Sequence, residues 1–408
     1  MDHSPGQPRI SVICPTFNRS RPILDTLASV TAQTVTDWEM LVVSDGSTDD
    51  TDDCVREAAL ADPRIRLLRA ERHGHPSGPR NLALAEARGE VVAYLDHDDR
   101  WRPDHLALIL SLIGTGADLV ATGFELQDPK GRSTARSEPH EMCWHPELQL
   151  LGVIFEPSRV AHRRGLAERV GGWRAGAGLE DWDLWLRMAD AGARVATSAE
   201  RTTVLLDDAG TRRHRIPPRH WLPLAAFDDP RAAHALKQRL RAGHADTALA
   251  AAQAADGAEW LARLAAEPAF TRPVGWAGDA AAEIARARQA VEGQELWPEP
   301  AVVRLPHSGG GGPSGRYVLA QPLRCADAHH AERITALVRR TQPRLYALLD
   351  AMAAETAADM ASDPAAHLAT GAGVTAGAAG VAGATDATVT AGAAVTARAA
   401  VTAGAGAR

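Results

Sequence analysis

Short apolar runs alternate with amphipathic segments along the first half of the chain. The apolar runs predict β-strands at residues 10–14, 38–44, 64–68 and 91–95. Apolar residues at three- and four-residue spacing predict helices between them, at residues 21–33, 50–60 and 79–88. Strands separated by helices of this length indicate βαβ units and a mainly parallel sheet covered by helices on both faces.

The pattern changes after residue 220, where Ala-rich sequence with Leu, Trp and Arg at helical spacing begins. The sequence predicts a folded domain at 8–220, a helical region at 221–307, a Gly-rich linker at 308–315, a helical segment at 316–362 and a tail at 363–408. The tail consists mostly of Gly, Ala, Thr and Val. Its bulky apolar surface is too small to offset the entropy of ordering, so we expect disorder there.

Composition narrows the class of protein. The chain has 408 residues and a formal net charge of −7, which argues against a nucleic-acid binder. Four widely spaced cysteines without a CxxC pair argue against a zinc site and fit a reducing cytoplasm. The most apolar window, 106–124, predicts a helix, a turn and a strand, not a membrane span. We therefore expect a cytoplasmic protein without a transmembrane segment, free or in peripheral contact with the inner face of the membrane.

Three of the predicted strands run into polar, turn-forming clusters. These clusters are Pro15-Thr16-Phe17-Asn18, the stretch from Ser44 to Thr51, and Asp96-His97-Asp98-Asp99. In sheets of parallel strands, ligands bind beyond the carboxyl ends of the strands. We therefore expect the three clusters to meet at one edge and to form a site.

The carboxylates in these clusters each have a structural and a functional interpretation. Asp45 suits a turn or a helix cap, but at a strand end its carboxylate can also accept a hydrogen bond from a nucleobase. Asp96, Asp98 and Asp99 repel one another unless a cation lies among them, and oxygen ligands of this kind suit Mg²⁺ or Mn²⁺. The plainer alternative for these acids is a solvated acidic loop.

A third group of acids opens a predicted helix further along the chain. Gly171-Gly172-Trp173 precedes the stretch Leu179-Glu180-Asp181-Trp182-Asp183. Acids in a first helical turn are stabilised by the helix dipole, so capping alone explains them. The functional alternative is a general base, because a carboxylate beside an attacking hydroxyl can accept its proton.

Four segments together resemble the family 2 glycosyltransferases, which have the GT-A fold. They are SVICPTFNR, QTVTDWEMLVVSDGSTDDT, GPRNLALAEARGEVVAYLDHDDRWRPDHL and GGWRAGAGLEDWDLWLRMADAG. They cover about half of the chain in the family's order and spacing. The resemblance implies an α/β fold with a mainly parallel sheet flanked by helices, followed by an α-helical C-terminal region and the tail.

The resemblance also implies residue roles. Nucleotide-binding positions are Pro15, Thr16, Asn18, Asp45, Arg80, Asn81 and Asp96, and metal-binding positions are Asp98 and Asp96. Asp181 stands at the position of the catalytic base, with Glu180 as a supporting acid, and Arg212-Arg213-His214 falls where a closing loop reaches the diphosphate. Two features depart from the family pattern, namely Ser44 before Asp45 and His97 inside the acidic motif. We expect His97 to point into solvent.

The implied function is an inverting transfer of a sugar from a nucleotide-diphospho-sugar, with UDP as the default, assisted by a divalent metal. The acceptor is left open among a glycan, a lipid carrier, a peptide and a small natural product, and a homodimer through the helical region is one option. The main alternative is a catalytically inactive GT-A-like protein, a nucleotide-binding or scaffold protein that acts through its helical C-terminal region. A nucleotidyltransferase and a dehydrogenase are disfavoured, because residues 14–22 lack a Gly-rich phosphate loop and a GxGxxG. Trp101, beside the acids, is a candidate to stack on the donor or acceptor.

Overall fold

The computed structural model describes residues 7–152, 155–176, 178–207, 217–242, 247–289, 300–304 and 317–362. The described residues form two compact units. Residues up to 207 and residues 263–287 form the first unit, and the other described residues form the second.

The first unit is built around one mixed sheet. Its strands are β1 (Ile10–Thr16), β2 (Trp38–Ser44), β3 (Ile65–Arg69), β4 (Val91–Tyr94), β5 (Arg100–Trp101), β6 (Leu119–Gln127), β7 (Ser133–Arg136), β8 (Val160–Arg163) and β9 (Val195–Leu206). Its helices are α1 (Pro22–Thr31), α2 (Thr51–Ala61), α3 (Ser77–Glu86), α4 (His105–Gly114), α5 (Pro146–Leu151), α6 (Leu166–Arg169) and α7 (Glu180–Asp190). The strand order is β3-β2-β1-β4-β8-β6-β9-β5, and β7 pairs with β6.

The half of the sheet made by β3, β2, β1 and β4 is parallel throughout, as the sequence predicts. Residues 10–16 of β1 are all buried, because helices cover both faces of the strand. Successive side chains enter opposite cores, so that Val12 and Cys14 pack in one apolar cluster and Ile13 packs in the other. The parallel pairing brings the carboxyl ends of β1, β2 and β4 to one edge.

Beyond β4 the sheet is mixed. Strand β8 is antiparallel to both of its neighbours, β4 and β6, and β6 then pairs with β9 in parallel. The predicted parallel sheet therefore describes one half of the observed sheet. The strands of the other half are separated by irregular segments and short helices, so they lack the regular βαβ pattern from which strands are predicted.

The second unit combines helices with a small sheet. It contains β10 (His220–Phe227), β11 (Ala301–Arg304) and β12 (Tyr317–Leu323), with the helices α8 (Pro230–Ala242), α11 (Ala328–Thr341) and α12 (Pro343–Ser362). Helices α9 (Thr247–Ala266) and α10 (Ala280–Gln289) lie between them along the chain. The helical C-terminal region is confirmed, and it also contains an antiparallel sheet in the order β10-β12-β11 that the sequence analysis did not predict. Strand β11 has only four residues, and β10 and β12 each contain a proline, so the alternation of apolar and polar residues that indicates a strand is interrupted.

One predicted domain boundary differs from the structure, and other predicted segments lie outside the described residues. Residues 263–287 belong to the first unit, although they lie inside the predicted helical region 221–307, because Thr271 and Val274 pair with β-bridge partners there. The predicted linker 308–315, the tail 363–408 and Arg212-Arg213-His214 lie outside the described residues. Within the described part of the chain, no helix has both the length and the apolarity needed to cross a bilayer.

Candidate active site

The loops after β1 and β2 are tied together by Asn18. Its backbone has a φ of +49°, a left-handed conformation that asparagine tolerates better than most residues. The side-chain oxygen of Asn18 accepts a hydrogen bond from the Thr48 backbone N–H at 2.8 Å, and its amide donates to Thr48 Oγ1 at 3.2 Å. Asp45 N–H also donates to the carbonyl of Thr16 at 2.8 Å. The first two predicted clusters thus form one rigid corner of the sheet edge.

Asp45 is buried in this corner, and its carboxylate organises a third loop. One oxygen accepts the His73 backbone N–H at 2.7 Å, and the other accepts the Gly74 N–H at 2.9 Å. The guanidinium of Arg72 stacks on the ring of Phe17, with 3.3 Å between Cζ and the ring centroid. The contact of Asp45 with a nucleobase stays a prediction, and the structure adds a loop-holding function for this carboxylate.

The acids after β4 are held in place by hydrogen bonds with Arg80 and Ser158. Arg80 is 3% exposed, and its Nη2 donates to Asp96 Oδ1 at 2.7 Å. Ser158 accepts the Asp96 backbone N–H and donates its own proton to Asp99 Oδ2 at 2.5 Å. The second oxygen of Asp99 accepts the Leu206 N–H at 2.9 Å, so both oxygens of Asp99 are bound within the protein. Asp96 and Asp98 remain as the candidate ligands.

His97 does not point into solvent, and that prediction is wrong. Its side chain is 22% exposed, and its Nε2 accepts a hydrogen bond from Arg19 Nε at 3.2 Å. The same nitrogen lies 3.8 Å from Asp98 Oδ2. Burial lowers the pKa of His97, so the ring is neutral and accepts the arginine's proton. The larger residue inside the acidic motif is accommodated because Arg19 gives the ring a partner.

Burial and repulsion from neighbouring carboxylates raise the pKa values of Asp98 and Asp99. Burial raises the pKa of Asp98, and the charge of Asp96 raises it further. The pKa of Asp99 is raised well above its usual value by burial and then by the charges of Asp98 and Asp96. A cation would relieve this repulsion, and a divalent ion is the chemistry that such a set of oxygens favours.

A metal at this place would need ligands in addition to the described side chains. Among the described residues, no group of three or more His, Cys, Asp or Glu side chains could enclose an ion. Asp98 and Asp96 supply two carboxylates, and a hard cation that keeps water and substrate oxygens in its shell fits a set of this size. The residues present therefore fit a divalent cation that shares its shell with a diphosphate.

Asp181 lies in the first turn of α7, within electrostatic reach of the β4 acids. Burial raises the pKa of Asp181 to about 6, with a further increase from Glu180. The charge of Asp96 acts in the same direction, whereas Arg80 and the Trp182 N–H lower this pKa. Arg80, which binds Asp96, also lies over the ring of Trp173 at 4.3 Å from its centroid, so the residue after β4 and the loop that leads into α7 share this partner. A carboxyl group with such a pKa is half ionised near pH 6 and suits proton transfer near neutrality.

The loop before α7 is fixed to helix α3 by Asn81. The Asn81 amide donates to the Trp173 carbonyl, and its oxygen accepts the Trp173 N–H, both at 2.8 Å. Gly172 has a φ of +68°, and a Cβ there would lie 2.8 Å from the Asn81 oxygen, so this position requires glycine. Asn81 is therefore engaged with this loop, and its predicted place in the nucleotide pocket stays a prediction.

Sequence reasoning missed residues that hold the site and misjudged one aromatic residue. Ser158 gives no sequence signal, because it lies in a short irregular segment. Arg19 follows Asn18 directly and could have been suspected. Trp101 is not available for stacking on a ligand, since it is 4% exposed, donates to the Ser158 carbonyl at 2.8 Å and stacks on His105.

Comparisons with known proteins identify relatives of the chain. Residues 11–169 match the sequence profile of Glycosyl transferase family 2. WcaA of Escherichia coli K12, a putative colanic acid biosynthesis glycosyl transferase, is 35% identical over 194 residues, which are 45% of this chain and 67% of that protein. WfgD of Escherichia coli, a UDP-Glc:alpha-D-GlcNAc-diphosphoundecaprenol beta-1,3-glucosyltransferase, is 38% identical over 104 residues, 26% of this chain and 40% of that protein.

A solved structure is similar as well. The crystal structure of S. aureus TarS 1–349 with UDP-GlcNAc has a TM-score of 0.43 at 23% identity, over 50% of this chain and 60% of that one. The chain spans at most half the length of three other curated relatives, with coverages of 20%, 50% and 42%. Since 35% of the 194 aligned residues are identical to those of WcaA, across 67% of that protein, the chain, which has the GT-A fold, belongs to glycosyl transferase family 2.

Proposed function

We propose that the first unit transfers a sugar from a UDP-linked donor to an acceptor hydroxyl with inversion at the anomeric carbon. The observation that carries the proposal is the position of Arg80, which donates to Asp96 Oδ1 at 2.7 Å and lies over the ring of Trp173, in the loop before α7, at 4.3 Å from the ring centroid. It supports one cleft in which a metal-binding acid and a proton-accepting acid serve the same reaction. The name of WfgD, which specifies a UDP-glucose donor, supports the choice of UDP.

The donor would be held by the corner formed at the ends of β1, β2 and β4. The loop that Asp45 holds through His73 and Gly74, with Phe17 and Arg72 stacked beside it, offers an apolar and cationic surface to a nucleobase. Arg80 fixes the carboxylate of Asp96, so that Asp96 and Asp98 stay in place for the diphosphate side of the donor. A divalent cation bound there would neutralise the diphosphate and stabilise it as a leaving group.

The chemical step would depend on Asp181 as a carboxylate. Its oxygen accepts the proton of the acceptor hydroxyl while the acceptor oxygen forms a bond to the anomeric carbon. The bond between that carbon and the diphosphate oxygen breaks on the opposite face, and the nucleoside diphosphate leaves with the electron pair. The Trp182 N–H and then the positive charge of Arg80 lower the pKa of Asp181, against the effects of burial and of Glu180.

Two substitutions distinguish the proposed metal-binding role of Asp98 from the proposed proton-accepting role of Asp181. Asp98→Ala should abolish manganese-dependent UDP binding in calorimetry and with it turnover, because a charged ligand is lost. Asp181→Asn should leave UDP binding within about twofold and lower kcat by about 100-fold to 10,000-fold, the usual contribution of a general base. Asp53→Asn, at an exposed acid paired with Arg56, is the matched control.

Turnover would be measured as UDP release from UDP-sugars, with water and then with lipid-diphosphate-linked sugars and free saccharides as acceptors. Full activity of Asp181→Asn would refute its role as base. Absence of UDP binding by the unmodified chain would favour the alternative, a scaffold protein that acts through the C-terminal region. A homodimer through that region is a further proposal, which sedimentation of the full chain tests.

The pH dependence gives a second test. If Asp181 must be ionised, log kcat should rise with unit slope below about pH 6 and level off above it, because the pKa of Asp181 is raised to about 6. The lower limb should disappear in Asp181→Asn, whose residual rate should not depend on pH in this range. A profile that levels off near pH 4 would contradict the assignment.

A further inference from the structure

A segment far along the chain packs against residues that lead, through hydrogen bonds, to Asp181. We call residues 267–283 the strap. Thr271 and Trp144 exchange two backbone hydrogen bonds of 2.8 and 2.9 Å, and the Val274 N–H donates to the Thr197 carbonyl at 2.8 Å. The strap thus adds two β-bridges to the first unit. It lies outside residues 11–169, which the family profile covers.

A side-chain contact joins the strap to the start of α5. His145 is 4% exposed, and its Nδ1 accepts the Glu147 backbone N–H at 3.1 Å. That nitrogen carries no proton, so the hydrogen-bond pattern assigns the proton to Nε2. Nε2 then donates to Glu267 Oε2 at 3.1 Å, a contact between a neutral ring and a carboxylate. Glu267 also pairs with Arg263, whose Nη2 reaches Glu147 at 2.8 Å.

Gln149 connects this contact region to α7. The Trp144 indole N–H donates to the Gln149 side-chain oxygen, and the Trp182 indole N–H donates to the Gln149 carbonyl, both at 2.6 Å. Gln149 is 2% exposed, so water does not compete for these bonds. Trp182 follows Asp181 directly, and its backbone N–H donates to Asp181 Oδ1 at 2.8 Å. A continuous hydrogen-bonded path therefore runs from Thr271 to the Asp181 carboxylate.

We propose that the strap is a positioning segment for Asp181, with Glu267 as its main side-chain anchor. It holds Trp144 and His145, which fix Gln149, and Gln149 fixes the turn of α7 that presents the carboxylate. Its catalytic consequence rests on the proposed function of Asp181 as a base. The mechanical link itself does not, and it can be tested without turnover.

The test uses hydrogen exchange on the full chain with two substitutions at one position. Glu267→Ala removes the acceptor of the His145 proton. Glu267→Gln keeps one oxygen that can accept this proton, but it loses the charge and the second oxygen, which pairs with Arg263. We expect amides in 146–151 and 180–190 to exchange about tenfold faster in Glu267→Ala and at the unmodified rate in Glu267→Gln. Asp279→Ala is the control, since Asp279 caps Ala282 within the strap and is exposed.

Unchanged exchange in 180–190 in Glu267→Ala would overturn the proposal, and so would equal acceleration in Asp279→Ala. If Glu267→Ala does not fold, exchange in the unmodified chain at rising denaturant decides. The amides of Thr271 and Val274 should then open together with 180–190, and independent opening would overturn the proposal.

Kinetics distinguish the two proposals. Glu267→Ala should lower kcat about tenfold at unchanged affinity for UDP with manganese, and Glu267→Gln should restore it. A full kcat in Glu267→Ala despite faster exchange in 180–190 would refute the catalytic role of the strap alone. Activity of Asp181→Asn at the unmodified level would refute the base assignment, while the exchange result would stand independently.

Discussion

The two halves of the first unit's sheet are assembled in different ways. In the half made by β3, β2, β1 and β4, each polar cluster directly follows its strand, and neighbouring loops hold one another through short-range contacts such as Asn18 to Thr48. In the half made by β8, β6, β9 and β5, the acid of interest lies on α7. It is placed by partners on other elements, namely Gln149 of α5 and, through Trp144, the strap.

The proposed donor side, at the ends of β1, β2 and β4, and the proposed acceptor side, around α7, are therefore held in place by different kinds of interaction. The donor side depends on the register of parallel strands, which many buried residues fix at once. The acceptor side depends on a few tertiary hydrogen bonds. Single substitutions should therefore have local effects on the donor side and transmitted effects on the acceptor side.

Among the residues that support the acids, Arg80 should give the largest effect on turnover when replaced by glutamine, because it contacts Asp96 and also lowers the pKa of Asp181. Loss of a buried hydrogen bond between charged groups should lower kcat/KM by about 100-fold. The acidic limb of the pH profile should move to higher pH, since a positive charge that lowers the pKa of Asp181 is gone. Arg80→Lys should recover part of both effects. An unmoved pH limb would show that Arg80 serves the donor side alone.

Asp181→Asn should make the protein more stable while it removes activity. Folding raises the pKa of Asp181 from 3.8 to about 6. Between these values the folded chain binds more protons than the unfolded chain, so the free energy of unfolding falls as pH rises. The asparagine variant should therefore be about 1–3 kcal/mol more stable at pH 8, with the difference gone near pH 3. Urea unfolding at both pH values measures this, and a loss of stability at pH 8 would contradict it.

Asn81→Ala should loosen the connection between the two sides. It leaves the Trp173 N–H and carbonyl without their 2.8 Å partners, at a cost of about 1–2 kcal/mol of unfolding free energy. Thermal unfolding checks the size of the effect. Leu82→Ala, on the same helix at a 37% exposed position, is the comparison and should cost less. Equal losses would indicate a general weakening of α3.

His73→Ala should have the smallest effect. Asp45 accepts the His73 backbone N–H at 2.7 Å, and alanine keeps this donor. The lost ring contact is longer, at 3.3 Å, and the side chain is 41% exposed. We expect UDP affinity within about twofold of the unmodified chain, as for most exposed positions. A tenfold loss in calorimetry would show that the ring itself contacts the nucleotide.

The sequence predicted the parallel half of the fold well and the mixed half poorly. Strand β2 has the predicted bounds, because buried parallel strands are continuous apolar runs. Strands β7, β8 and β9 were not predicted, because their pairing depends on contacts across long stretches of chain. Among the site residues, resemblance named Asp98 and Asp181. The holding roles of Ser158, Gln149 and the strap are tertiary and leave no local pattern.

One structural detail connects the two halves. Arg80 and Asn81 are consecutive residues of α3, and they grip the β4 acid and the loop before α7, respectively. Any tilt of this helix would displace both contacts together. A nucleotide that rotated α3 on binding would therefore also move the loop before α7 and the Asp181 carboxylate, without a hinge between domains.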